Sequence, residues 1–284
     1  MKKSVLFILT ICIMAFYACT EKEETNPFLT TWGTPQGVPP FNLIKNEHYM
    51  PAFEEGMKQQ NEKIEAIINN TEAPSFENTI VAMDFSGELL KKVASVFFNL
   101  NECNTSDELQ AIAMEVAPKL SAHSDNIVLN AQLFERVKAV YEQKDSLDLT
   151  EAEAKLLEDT YKSFVRNGAA LPADKQERFR EINSELSVLT LQFGQNVLAD
   201  VNQFKLVIED EADLAGLPQA VIDEAAALAT KEGQEGKWIF TLQNYSVMPF
   251  LTYAENRDLR ELMGRAYINR GNNDNEYNNG KIIN

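Results

Sequence analysis

Apolar residues recur at three- and four-residue steps from Phe179 through Ile182, Leu186, Leu189 and Phe193 to Val197. With 3.6 residues per turn, that spacing places all six on one face of a helix, and Pro172 supplies a rigid first turn. It predicts a helix from Pro172 to about Val201, the longest in the chain. The composition points the same way. Only 12 Gly and 10 Pro occur in 284 residues, below the ~12% that these two residues contribute to an average protein. That scarcity argues against a turn-rich β sandwich and for long helices.

Shorter patterns fill the remainder. Pro27, Gly33, Pro35, Gly37, Pro39 and Pro40 predict an extended segment from Asn26 to Pro40, laid over the surface. Pro51 opens a helix with Phe53, Met57, Ile64, Ile67 and Ile68 on one stripe. Ser75 caps a second, which buries Ile80, Met83, Leu90, Val93, Phe97 and Leu100. Capping boxes at Thr105 to Glu108 and Thr150 to Glu153 start two more, and Ala131 to Tyr141 forms another between them. Asn167-Gly168 is a left-handed stop. The period then changes to that of strands at Phe204 to Ile208 and Trp238 to Leu242, around a Gly216-Leu217-Pro218 helix start. The expected fold class is mostly α, with a small two-stranded β element near residues 204–242. Helix returns over 249–270, and Asp274-Asn275-Glu276 resembles a further start. No cap or stop closes that last pattern before Asn284, which we read as truncation of a longer protein.

The amino terminus sets the compartment. Lys2 and Lys3 precede an apolar run from Val5 to Ala18, too short for the ~20 residues of a spanning helix and suited to a signal peptide. It ends in Ala18-Cys19, followed by Thr20-Glu21-Lys22-Glu23-Glu24. A small residue before cysteine and a polar tether after it resemble a bacterial lipoprotein signal, with Cys19 as the lipidated residue. The expected organisation is a signal peptide at 1–18, an anchored tether and extended segment at 19–40, and a helical region at 41–284. The protein is then exported and lipid-anchored, on the periplasmic side of the outer membrane or at the cell surface.

Charge and chemistry exclude much. Lys and Arg number 26 against 43 Asp and Glu, a formal charge of −17, so nucleic acid is a poor partner. No His-Glu-x-x-His, Gly-x-Ser-x-Gly or phosphate-binding glycine loop occurs. His48 and His123 are the two histidines, with no second ligand at helical spacing, and we read both as structural. Cys103 has no histidine near it in sequence to activate it, and we read it as an ordinary thiol.

One resemblance sharpens this picture. Asn26-Pro27-Phe28, Trp32-Gly33-Thr34-Pro35, Pro39-Pro40-Phe41 and Ile44 through Glu54 resemble the amino-terminal region of the zinc peptidyl-dipeptidases of the thimet oligopeptidase and oligopeptidase A family. Pro74 to Ile80, Thr160 to Ala169, Gly216 to Pro218, Lys237 to Leu242 and Pro249 to Tyr253 follow in the same order. The resemblance implies the helical half of an elongated, channel-containing metallopeptidase that releases C-terminal dipeptides from short unstructured peptides. It implies zinc in the parent family, held by a His-Glu-x-x-His helix and a later Glu, none of which lies in this chain. No catalytic or metal-binding residue is therefore assigned here. The expected function is that of a substrate-channel wall, inactive by itself and truncated before the zinc motif. The alternative is a standalone peptide-binding or scaffolding lipoprotein without catalysis.

Overall fold

The computed structural model describes residues 25–283, and the signal peptide expected at 1–18 and Cys19 lie outside them. Two compact units divide the chain, residues 1–181 and 182–284.

In the first unit, the Pro-rich segment is not featureless. It forms 3-10 turns at Pro27–Leu29 and Pro35–Gly37, where Pro at the first position loses no hydrogen bond. Helix α1 (Tyr49–Ile68) buries Phe53, Ile64 and Ile67 as its stripe requires. The helix expected after Ser75 does start there, with Ser75 and Asn78 capping one another, but it is broken. A π turn (Phe76–Val81) and a single α turn (Ala82–Asp84) precede α2 (Glu88–Cys103). The break follows from Ser86, whose hydroxyl donates to the Met83 carbonyl and accepts from Gln60 of α1. Apolar spacing across the break still looks continuous, so periodicity alone could not locate it.

Helix α3 (Asp107–Val128) begins one residue later than the sequence suggested. Ser106 is the cap, its oxygen accepting from the Leu109 amide, while Thr105 turns its hydroxyl to Asn101 and Glu108 accepts from Asn46. Helices α4 (Ala131–Glu142) and α5 (Glu151–Arg166) follow as expected, the second with the Thr150/Glu153 capping box in place. Gly168, with φ +89°, ends that run.

Two apolar groups hold this unit. Phe28, Tyr49, Phe53 and Phe97 are fully buried and meet Trp32 and Phe98 in a chain of tilted and edge-on rings. Ile64, Ile67, Phe76, Ile80, Leu133, Phe134, Val137, Leu157 and Phe164 form the other. Between α1 and α2 the backbones come close at Gly56, where a Cβ would stand 2.9 Å from the Leu90 Cα, so only glycine allows that approach.

Helix α6 (Ala173–Gln203) is the long helix the sequence predicted. The second unit then adds β1 (Leu206–Ile208), α7 (Gln219–Lys231) and β2 (Trp238–Phe240). The strands pair antiparallel, with Leu206 opposite Phe240 and Ile208 opposite Trp238. The helix expected over 249–270 is two helices, α8 (Asn244–Tyr253) and α9 (Arg257–Ile268). Asn256 separates them because its side chain caps the Asp258 and Leu259 amides. The start expected at Asp274 is a loop instead, and α10 (Gly280–Ile283) begins only after it. The core of this unit gathers Val201, Leu206, Ile208, Phe240, Val247, Phe250 and Met263.

Among the described residues, no helix is long and apolar enough to cross a membrane.

Candidate functional site

A cleft of the first unit opens where α4 meets α5. It encloses about 1010 Å³ and is lined by Tyr141, Lys144, Leu149, Thr150, Leu157 and Glu158. Tyr141 is the aromatic residue of that lining, and helical spacing sets further rings behind it in the core. Phe134 and Tyr141 lie two turns apart on α4, Tyr161 and Phe164 neighbour one another on α5, and the rings stack as Phe164, Phe134, Tyr161, Tyr141. The last pair is almost parallel, at 4.0 Å and 6°. Lys144 lies 5.6 Å above the Tyr141 ring, and its hydrogen bond to Asp145 raises its pKa. Tyr141 and Leu149, next to Lys144 and Glu158, can hold an apolar or aromatic side chain beside a charged one.

The histidines are placed as structural groups. His48 is buried, and its Nδ1 accepts from the Lys45 amide at 3.0 Å, while Asn26 donates to its carbonyl. His123, on α3, meets Oε1 of Gln60 at 2.8 Å. Gln60 Nε2 donates to Ser86, and Ser86 donates to the Met83 carbonyl, so Gln60 Oε1 must accept and His123 must carry its proton on Nε2. This relay joins α3, α1 and the break before α2. No local pattern could mark it, since Gln60 and His123 are 63 residues apart.

Burial lowers the His123 pKa. The unfolded chain therefore binds the proton more readily than the folded one, and stability must fall as pH drops through the unfolded value near 6.5. Urea midpoints read by Trp32 should decline between pH 7.5 and 5.5, and a His123→Gln variant should show a shallower decline. Equal slopes in the two proteins would refute this assignment.

Cys103 is exposed at the end of α2, with its sulfur 3.7 Å from Asn99 Oδ1. Ser86 is engaged at both its donor and acceptor sides, and neither residue is paired with a base. Among the described residues, no three of His, Cys, Asp and Glu come together as a metal-binding group. Zinc prefers four tetrahedral ligands, at least three of them from protein, so the described residues offer that ion no such set.

The second unit contains a polar site that the sequence reading missed. Asp200, near the end of α6, is buried and accepts three hydrogen bonds. They come from the Gly271 amide at 2.8 Å, Asn273 at 2.6 Å and Asn275 at 2.7 Å. The loop bends back so that Asn279 donates its amide to the Gly271 carbonyl. Gly271 has φ +69°, and a Cβ there would lie 2.7 Å from the Asn279 side chain. The run of asparagines from 272 to 279 was the available signal, because each amide is a donor seeking an acceptor.

Comparison with known proteins supplies what this geometry lacks. The dipeptidyl carboxypeptidase of Escherichia coli K12 is 39% identical over 236 residues, which cover 83% of this chain and 35% of that protein. The dipeptidyl carboxypeptidase of Salmonella typhimurium is 37% identical over 260 residues, covering 92% and 38%. Oligopeptidase A of Haemophilus influenzae is 34% identical over 263 residues, covering 91% and 38%. The chain is similar to dipeptidyl carboxypeptidases and oligopeptidases A over most of its length. It spans little more than a third of theirs. No family model matches it.

Proposed function

We propose that this chain is the amino-terminal, channel-lining part of a zinc metallopeptidase that releases C-terminal dipeptides from short peptides. The supporting observation is 34–39% identity to proteins named as peptidases across 83–92% of the chain. The chain by itself is inactive, because the His-Glu-x-x-His motif that the family resemblance implies does not occur in its sequence. In this reading the α4/α5 cleft, with Tyr141 in its lining, contributes to substrate contact, and peptide hydrolysis requires the remaining polypeptide.

The activity test uses two proteins. Purified residues 19–284 should release no dipeptide from an unstructured nonapeptide, with or without added zinc. A chimera in which this chain replaces the matching region of the E. coli dipeptidyl carboxypeptidase should release dipeptides and lose that activity to a chelator. Chelator-sensitive hydrolysis by the chain alone would overturn the reading, and so would a folded but inactive chimera.

The chain is also proposed to be exported and anchored through a lipid on Cys19. Acyl chains contribute ~0.8 kcal/mol per buried methylene, so a multiply acylated cysteine holds a protein stably on a membrane. A Cys19→Ala variant should move from the membrane pellet to the supernatant after fractionation. Retention of that variant in the pellet would count against the anchor.

A further inference from the structure

Helix α6 carries an apolar stripe that its own unit covers only at one end. Val201 is buried in the second core, and Val197 packs against it. Towards the amino-terminal end of the same face, exposure rises to 42% at Phe193, 53% at Leu186 and 39% at Ile182. These residues are spaced by three- and four-residue steps, with Leu189 between them, which is the pattern of a helix seam. A solvated face of a helix this long would carry polar residues there.

The loop that Asp200 organises marks the same place. Asn279 donates to the Phe193 carbonyl at 3.2 Å and accepts from Asn196 at 2.9 Å, so the start of α10 is fixed on α6 beside the exposed Phe193. The covered end of the stripe therefore runs directly into its uncovered part. The relatives, in turn, contain nearly twice as much polypeptide again as this chain spans.

We infer that the Ile182, Leu186 and Phe193 face of α6 is the seam against which the remaining polypeptide of the peptidase lays the apolar face of a helix. The inference rests on the peptidase reading and goes beyond it by naming the surface. A seam of this kind buries large apolar side chains in knobs-into-holes packing, and its partner needs a matching apolar stripe, not a charged groove. A second copy of this chain, pairing α6 with α6, is the competing occupant.

Thiol accessibility tests the seam directly. Leu186→Cys and, as a control off the stripe, Gln192→Cys are each placed in a Cys19→Ser/Cys103→Ser background of residues 19–284, both in the chain alone and in the chimera with the E. coli relative, whose own cysteines are replaced. Alkylation of Leu186→Cys should be about tenfold slower in the chimera than in the chain, while Gln192→Cys should change little. Equal labelling of Leu186→Cys in the two proteins overturns the seam. Slow labelling already in the chain, reversed on dilution, assigns the face to self-association and also overturns it. A chimera that protects Leu186→Cys yet hydrolyses nothing sinks the peptidase reading and leaves the seam standing. Should the chimera not fold, the chain is co-expressed with the relative's remaining polypeptide and recovered through a tag on the chain. Protection in that complex supports the seam, and absence of any complex overturns it.

Discussion

Replacing Phe97 with alanine is expected to destabilise the first unit by about 3–5 kcal/mol, the usual cost of removing a fully buried phenyl ring from a core. Phe97 is the hub of the aromatic group. It contacts Tyr49 at 4.9 Å, Phe53 at 5.4 Å and Phe98 at 5.1 Å, in edge-on geometries that add to simple area burial. Through Tyr49 and Phe28 it also ties the Pro-rich segment to α1 and α2. Lys92 fastens that segment further, donating to the Phe28 and Thr30 carbonyls and lying 4.0 Å over the Trp32 ring. The chain has two tryptophans, Trp32 in the first unit and Trp238 in the second. A Trp238→Phe background therefore lets urea unfolding be followed in the first unit alone. A loss below about 1 kcal/mol would mean that the cavity collapses and that the ring is not the hub.

Asp200→Ala is expected to cost the second unit about 2–4 kcal/mol. The carboxylate accepts from three donors, and removing it strands the Gly271 amide and two side-chain amides where little water can replace it. Asp200→Asn should recover little, because its amide sets a donor against donors. The local readout is hydrogen exchange of residues 271–279, which should accelerate in both variants. The global readout is the Trp238 unfolding transition. Unchanged exchange in that loop would show that the asparagines hold one another without Asp200.

These two sites differ in how far they were legible beforehand. The buried stripe of α1 and the Thr150/Glu153 cap are local, since one helical repeat specifies each. The breaks before α2 and between α8 and α9 were not. At each, a side chain competes with the helix for backbone groups, Ser86 with help from distant Gln60 in one case and Asn256 in the other. Asp200 read as one more acidic residue on a helix face, because its donors arrive from more than 70 residues away. The family resemblance carried by the 26–54 stretch was legible as a pattern. What that pattern does mechanically, seating Phe28 under Tyr49 and Trp32 under Lys92, was not.

By itself the sequence determined that the body is helical, where most of its helices lie, and that two short strands interrupt them, because spacing and caps act within a few residues. It also carried the peptidase resemblance, which similarity at 34–39% identity supports. The tertiary structure decided which of those apolar faces are covered. The six residues from Phe179 to Val197 form one stripe in the sequence, yet that stripe is packed at Val197 and open at Leu186. Periodicity states that a face must be buried somewhere, whereas burial is a relation between elements distant in the chain.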